Sequence, residues 1–295
     1  MKIDTHQHYW RYRADEFPWI SDAMPLLQRD CMPVDCDAAM QAAGVDAVVA
    51  VQARTLPAET DFLLRVADHN PEVIGVVGWA DLAAPDLAHR LDQWGGHAAF
   101  KGLRHILQDE PDVGTWVNAP AINQGLRAVQ QRGLVYDLLV FDHQLPSVTE
   151  FCARHDQHWL VLDHVGKPAV RDWTRNAKVS GRWSSCIREL ATLPHVMCKL
   201  SGVVTEADWI GHSGVTHEDA KIILSCFDQA LEAFGPQRLM FGSDWPVCQL
   251  AALYDVVHGL AHKWASTRLT VREQDAFWSG NAIRCYGLNV QALAN

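Results

Sequence analysis

The sequence predicts a single (β/α)8 barrel of the TIM type that spans residues 1–295. The first observation is an alternation of short apolar runs with amphipathic stretches, which is typical of parallel strands joined by helices. The second is the length of 295 residues, which suits one barrel of about 250 residues with added loops better than two unrelated domains. The third is that neither G-x-G-x-x-G nor G-x-x-x-x-G-K-[ST] follows the first run, which disfavours a doubly wound nucleotide-binding sheet.

The predicted strands are rich in Val, Ile and Leu and almost continuously apolar, as expected for strands that are covered on both faces. In chain order they are Lys2–His8, Ala47–Ala53, Ile74–Ala80, Phe100–Ile106, Val135–Val140, Trp159–His164, Val196–Leu200 and Leu239–Gly242. Active sites of such barrels lie at the carboxyl ends of the strands. The polar residues that end these runs are therefore the candidates for function.

Helices and long loops are predicted between the strands. Helical periodicity is clear over Ala121–Arg132 and Glu218–Phe234, and the first helix is predicted over Asp35–Ala43. Two aromatic-containing segments, Tyr9–Pro33 and Gly166–Trp183, interrupt the rhythm. We expect both to be loops that enclose a substrate at the mouth of the barrel.

The composition is that of a globular enzyme and disfavours several classes of partner. Hydrophobic residues make up 48% of the chain and charged residues 20%, which argues against disorder. The net charge of −10, with no basic cluster, disfavours nucleic acid and slightly favours a neutral substrate. No apolar run approaches the roughly 18 residues that span a bilayer, and no secretory signal pattern is evident. We read the 8 scattered cysteines as free, mostly buried thiols, and expect a cytoplasmic protein of undetermined oligomeric state.

Three histidines and one aspartate form the predicted catalytic site. His6 and His8 are two residues apart on the first strand, so they project to the same side. His164 ends the sixth strand, and Asp244 ends the eighth. Together they could bind one zinc-like ion with room for water. Without a metal, the imidazoles could bind a carbonyl oxygen while Asp244 takes a proton from water. For Asp244 the alternative is a helix N-cap ahead of the last helix.

Further residues near strand ends are candidates for substrate binding. They are Gln52, Trp79, Arg104, Lys199 and Trp245. Each has a structural alternative: Arg104 could be solvated or ion-paired, and Lys199 could be a buried, paired cation. Gln52 has the same ambiguity. The tryptophans could face a sugar ring or fill the core.

Several short motifs occur in a fixed order along the whole chain. They are His6-x-His8, Lys101–His105 with Gln108–Pro111, Tyr136–Leu139, Leu162–Pro168, Lys199–Gly202 and Gly242–Pro246. In this order they resemble the amidohydrolase superfamily. More narrowly, they are similar to its sugar-lactone hydrolase branch, the L-fuconolactonase- and L-rhamnonolactonase-like proteins.

Departures from the wider superfamily limit the metal site that the resemblance implies. Two-metal members have a bridging lysine or glutamate on the fourth strand, where this chain offers Lys101 or Arg104. They also have a histidine on the fifth strand, where this chain has only His143, a few residues beyond the strand. The resemblance therefore implies at most one Zn²⁺, bound by His6, His8, His164 and Asp244, and related lactonases can work without a metal.

The resemblance implies hydrolysis of a sugar lactone, and we expect a deoxyhexonolactone such as L-fuconolactone. Water activated by Asp244 would open the ring to the aldonic acid. One alternative is a metal-dependent decarboxylase of aromatic or enol acids on the same barrel, which would need cationic groups for the substrate carboxylate. Another is a ligand-binding barrel without catalysis. Imidazoles beside a carboxylate argue against that, since a binder has no use for a base there.

Overall fold

Eight parallel strands form a barrel in the computed structural model, which describes residues 1–173, 177–210 and 214–291. The strands are β1 (Ile3–Gln7), β2 (Ala47–Val51), β3 (Val73–Gly78), β4 (Phe100–His105), β5 (Val135–Leu138), β6 (Leu160–Leu162), β7 (Val196–Leu200) and β8 (Leu239–Phe241). Each strand pairs in parallel with the next, and a bridge between Gln7 and Trp245 joins β1 to the segment after β8. The predicted barrel and all of its predicted strands are confirmed.

Twelve α-helices lie within the described part of the chain, most of them in the connections between strands. They are α1 (Asp37–Ala43), α2 (Glu59–His69), α3 (Leu87–Gly95), α4 (Val113–Asn118), α5 (Pro120–Gln130), α6 (Leu145–Ala153), α7 (Val170–Trp173), α8 (Ala177–Ala191), α9 (His217–Phe234), α10 (Tyr254–Arg268), α11 (Val271–Asp275) and α12 (Asn281–Tyr286). The predicted helices correspond to α1, α5 and α9, with ends shifted by one or two residues.

All of the predicted strands except the seventh extend one or two residues too far at the carboxyl end. The sequence predicts the sixth over Trp159–His164, whereas β6 ends at Leu162. Asp163 and His164 leave the sheet because the chain turns inward there. A short 3-10 turn, Asp163–Gly166, begins directly after β6, and His164 and Val165 within it have positive φ.

One predicted loop is largely helical. The segment Gly166–Trp183 contains α7 and the beginning of α8. Residues 174–176 of this segment lie outside the described residues. The four-residue α7 is too short for a periodic pattern to be recognised in the sequence.

The other predicted loop, Tyr9–Pro33, folds back over the barrel mouth. Trp10 and Cys31 exchange two backbone hydrogen bonds of 2.9 Å, and the Trp10 indole donates to the Arg29 carbonyl at 2.8 Å. Trp10 and Phe17 are buried, so this segment has its own apolar anchor. It carries Trp19 to the edge of the central cavity.

Two apolar clusters hold the barrel together. The larger lies between the strands and the surrounding helices. The smaller cluster contains residues near the strand starts, such as Ile3, Ala47 and Val135. They pack with Tyr286 and Leu288 near the end of the chain. The last helix therefore closes the end of the barrel opposite the predicted site.

Two sequence expectations about the chain as a whole can be compared with the structure. All eight cysteines are free and buried, as predicted. Among the described helices, none is both long and apolar enough to cross a bilayer.

Candidate active site

His6 and His8 meet at the carboxyl end of β1, with their Nε2 atoms 3.2 Å apart. His8 Nδ1 lies 2.8 Å from the carbonyl oxygen of Val51. Because a carbonyl can only accept, Nδ1 carries a proton, and Nε2 is directed into the site. The hydrogen bond thus orients this ring for binding a ligand or a proton.

Asp244 lies opposite these rings, just beyond β8. Its backbone N–H donates to the carbonyl of His6 at 2.9 Å, which holds it beside β1. Oδ1 of Asp244 lies 3.2 Å from Nε2 of His8, 3.8 Å from that of His6 and 3.9 Å from that of His164. The short helix that follows, Val247–Leu250, has no side-chain cap. The cap alternative for Asp244 therefore does not describe its contacts.

A left-handed turn brings His164 into the site. His164, Val165 and Lys167 have φ values of 55°, 54° and 45°, a region that side-chain-bearing residues rarely adopt. The ring of His164 is fixed by a 2.9 Å contact between Nδ1 and Ser201 Oγ. A Cβ atom on Gly202 would lie 2.3 Å from Nδ1 of His164. Glycine is required there because the imidazole occupies the space that any side chain would fill.

Arg104 supports His6 from below. Its Nη1 lies 3.1 Å from Nε2 of His6 and 3.0 Å from Oδ2 of Asp163. Its Nε donates to Oε1 of Gln52 at 2.7 Å, and Nη2 donates to the Gln52 carbonyl. Arg104 is 3% exposed, yet it reaches the cavity wall. The guanidinium is thus held rigidly with one edge toward the site.

A buried ion-pair network continues beneath His6. Lys199 Nζ lies 2.5 Å from Oδ2 of Asp137, 3.1 Å from Oδ1 of Asp163 and 3.2 Å from Nδ1 of His6. The hydroxyl of Tyr286 donates to Asp137 at 2.9 Å. These contacts match the alternative interpretation of Lys199 as a buried, paired cation.

A cavity of about 430 Å³ opens above these residues. Three of the four predicted catalytic residues, His8, His164 and Asp244, line it, and so does Arg104. The rest of the wall is mostly apolar with a few polar groups. It includes Trp19, Met24, Gln108, Asp109, Leu139, Phe141, Lys167, Glu206, Trp209, Val247 and Leu250.

Four residues predicted to contact substrate lie elsewhere. Gln52 and Lys199 are fully buried, and their polar groups are directed at Arg104 and at carboxylates. Trp245 is 1% exposed and packs near Tyr9, so its indole fills the core. Trp79 turns its Nε1–H to Nδ1 of His105 at 3.0 Å. The structure therefore places these side chains behind or beside the cavity wall, because strand-end position alone does not fix the direction of a side chain.

Comparison with known proteins agrees with this arrangement. The amidohydrolase family model matches residues 3–288. This chain belongs to the amidohydrolase family. It is 52% identical to an L-fucono-1,5-lactonase of Burkholderia multivorans (strain ATCC 17616 / 249), over 98% of this chain and 96% of that protein. It is 32% identical to an L-fucono-1,5-lactonase of Burkholderia ambifaria, over 85% of this chain and 82% of that one. A crystal structure of an amidohydrolase from Burkholderia multivorans with bound zinc superposes with a TM-score of 0.94 at 51% identity, covering 98% of this chain and 100% of that one.

The charge states of this amidohydrolase site follow from burial and from the neighbouring charges. Burial lowers the pKa of His164 to about 4 and that of His6 well below its usual value. Burial alone would raise the pKa of Asp244, but His164, His8 and His6 outweigh it and lower the pKa. At neutral pH the site therefore presents an ionised carboxylate beside neutral His6 and His164.

The donor set is suitable for a metal ion. His6, His8 and Asp244 offer ligand atoms within 4.8 Å of one another, and His6, Asp163 and His164 form a second such group. With His8 Nδ1 protonated, the Nε2 lone pair faces Asp244 at 3.2 Å, so a positive charge is needed between them. A proton or a metal ion satisfies that need. The structure places His164 in the second group, whereas the sequence prediction puts all four residues in one.

The structure also locates the residues near the positions where two-metal members have their fourth- and fifth-strand ligands. Lys101 donates its ammonium to the Gly287 carbonyl at 2.9 Å, away from the histidines. His143 lies in an exposed turn after β5, beside Asp142. Neither extends the two donor groups.

Proposed function

We propose that this amidohydrolase opens a sugar lactone to the corresponding aldonic acid, with L-fucono-1,5-lactone as the expected substrate. The observation that carries the proposal is the ionised carboxylate of Asp244 facing three imidazoles at the floor of a mostly apolar cavity. The 52% identity to an L-fucono-1,5-lactonase over nearly the whole chain supports this substrate class.

In the proposed reaction Asp244 accepts a proton from water as the water attacks the lactone carbonyl. A carboxylate with a lowered pKa is a weak base, so the developing oxyanion must be stabilised by other groups. Ser201 Oγ donates to Nδ1 of His164 in this scheme, which leaves the Nε2–H of His164 as a donor to the carbonyl oxygen. Arg104 adds fixed positive charge at the same floor. The proton held near Asp244 then returns to the ring oxygen as the C–O bond breaks.

We propose further that one zinc ion can bind this site, held by His6, His8 and Asp244 with His164 at its edge. When bound, the ion would act as a Lewis acid that polarises a lactone carbonyl or a water molecule. Arg104 Nη1 lies 3.1 Å from Nε2 of His6, so the guanidinium and an ion would compete for that lone pair.

The decarboxylase alternative needs a cation that is free to bind a substrate carboxylate. Among the described cavity-lining residues, Arg104 and Lys167 are the arginine and lysine side chains. Arg104 is paired with Asp163, and Lys167 is paired with Glu206 at 3.3 Å. Each cation already has a carboxylate partner, so neither is free to pair with a substrate carboxylate, which favours a neutral lactone over an acid.

A cytoplasmic location is also part of the proposal. All eight cysteines are free and buried, which suits a reducing compartment.

A pH-indicator assay with a panel of aldonolactones tests the proposed function. We expect purified protein to hydrolyse L-fucono-1,5-lactone faster than stereoisomers that differ at the ring hydroxyls. Hydrolysis of every lactone at the rate of the buffer blank would refute the proposal. Metal analysis before and after chelation, with the rate measured on both samples, determines whether zinc is needed.

A further inference from the structure

Lys167 and Glu206 form an ion pair on the cavity wall that the catalytic scheme does not use. Lys167 Nζ lies 3.3 Å from Oε1 of Glu206 and donates to Oε1 of Gln108 at 2.9 Å. The same ammonium lies 4.7 Å from the centroid of the Phe141 ring. All four residues line the cavity that contains His164 and Asp244.

The backbone of Lys167 is held in an unfavourable conformation. It ends the left-handed turn that begins at His164, with φ of 45°. The turn includes Val165, a β-branched residue for which positive φ is a strong outlier. Trp183 Nε1 donates to the Val165 carbonyl at 2.8 Å and anchors the turn. One strained segment therefore places both a catalytic imidazole and this ammonium in the cavity.

The pair is mostly but not fully removed from solvent. The side chains of Lys167 and Glu206 are 15% and 16% exposed. Burial raises the pKa of the Glu206 carboxyl, while Lys167 acts in the opposite direction. A partly buried, mutually neutralised pair can donate to and accept from hydroxyl groups without attracting a charged ligand.

We propose that Lys167, Glu206 and Gln108 form a subsite that recognises the ring hydroxyls of the lactone and so determines specificity. The proposal rests on the proposed lactone hydrolysis and deepens it. It assigns the substrate as a neutral polyhydroxylated lactone, because Asp109, Glu206 and Asp244 place three carboxylates around the cavity against the two cations Arg104 and Lys167.

The same charges give the subsite a second effect. Ring opening converts a neutral substrate into an aldonate anion beside Asp244. Glu206 then repels the product carboxylate, whereas Lys167 attracts it. Removing the charge of Glu206 should therefore strengthen product inhibition, and removing the charge of Lys167 should weaken it.

The first test compares K167M and E206Q on two six-membered lactones, L-fucono-1,5-lactone and unsubstituted δ-valerolactone. We expect each variant to lose about 10- to 100-fold in kcat/KM on the hydroxylated lactone, mainly through KM, as hydrogen bonds to charged groups are lost. Activity on δ-valerolactone should stay within about threefold. K221M is the matched control, because Lys221 forms an exposed 3.3 Å pair with Glu218 away from the cavity.

The second test measures inhibition by the aldonate product. E206Q should bind L-fuconate about tenfold more tightly than wild type, and K167M about tenfold more weakly. Should K167M not fold, as judged by circular dichroism and thermal melting, E206Q carries both tests.

Three outcomes overturn the proposal. Equal losses of kcat/KM on both lactones would mean that the Lys167–Glu206 pair supports the chemical step or the fold rather than hydroxyl recognition. An unchanged KM for the hydroxylated lactone would mean that the pair does not contact the substrate. Product inhibition that shifts in the same direction in both variants would contradict the opposite effects expected of the two charges. Absence of any lactonase activity in the wild type would instead refute the proposed function itself.

Discussion

Replacing Gly202 by alanine should displace His164 and identify the contribution of that imidazole. The added Cβ would lie 2.3 Å from Nδ1 of His164, whereas ordinary contact begins at 3.4 Å, so one of them must move by about 1.1 Å (3.4 minus 2.3). A shift of that size breaks the 2.9 Å contact between His164 and Ser201. A misplacement of about 1 Å in a catalytic group can lower the rate about 100-fold.

The stability change of G202A can be separated from this effect. Gly202 has φ of 64°, where alanine costs roughly 1–2 kcal/mol, and the lost hydrogen bond adds about 1 kcal/mol. We expect a fall of about 2–3 kcal/mol in the free energy of unfolding. Gly133 has φ of 66°, and a Cβ atom there would have no neighbour within 4 Å, so G133A shares the backbone cost without the clash.

Steady-state lactone hydrolysis and urea denaturation of both variants measure these two effects. G133A should lose about 1–2 kcal/mol of stability and keep its kcat/KM. G202A should lose both stability and about 100-fold in kcat/KM. If G202A keeps the activity of G133A, the position of His164 does not control the reaction and the assignment of this ring fails.

Three further predictions concern the buried charges. K199M should lower the free energy of unfolding by about 3–5 kcal/mol in urea denaturation, because Asp137 and Asp163 lose their buried ammonium partner. The double variant K199M/D137N should recover part of the lost stability. R104K should lower kcat/KM by about 100-fold or more while the protein stays folded, because lysine cannot replace the forked contacts of the guanidinium with Gln52 and Asp163. Kinetics near those of the wild type would show that the guanidinium has no role in the reaction. Because burial lowers the pKa of His164 to about 4, its neutral form prevails above that value. We therefore expect kcat/KM to be flat from about pH 5 to pH 8 and to fall as the pH drops through about 4, because protonated His164, 3.9 Å from Asp244, would weaken that carboxylate as a base. An acid limb near pH 6.5 would contradict the lowered pKa of His164.

The barrel and the centre of its site were predictable from local patterns. Apolar runs that alternate with helical stretches define a parallel barrel, and its topology brings all strand ends to one face. His6 and His8 share a side through the two-residue period of an extended strand, and Asp244 follows β8 beside β1. These placements follow from strand order and need no side-chain detail.

Other parts of the site depend on distances that only the folded chain supplies. The sequence suggests Lys199 as a substrate-binding residue, but the fold places its ammonium between Asp137 and Asp163 in the barrel interior. Glu206 lies in a short turn after β7, and nothing local marks it as the partner of Lys167. Strand-end residues are easy to locate in sequence, whereas the direction and pairing of each side chain are set by packing.

Replacing Asp244 by asparagine tests most directly the claim that a carboxylate activates water for lactone hydrolysis here. Asparagine keeps the size of the side chain but cannot accept the proton, so kcat/KM for L-fucono-1,5-lactone should fall by at least about 100-fold in the pH-indicator assay. Thermal melting should show a folded protein. A folded D244N enzyme with a rate near that of the wild type would contradict the account and would move the base to another residue, with His164 next to be tested.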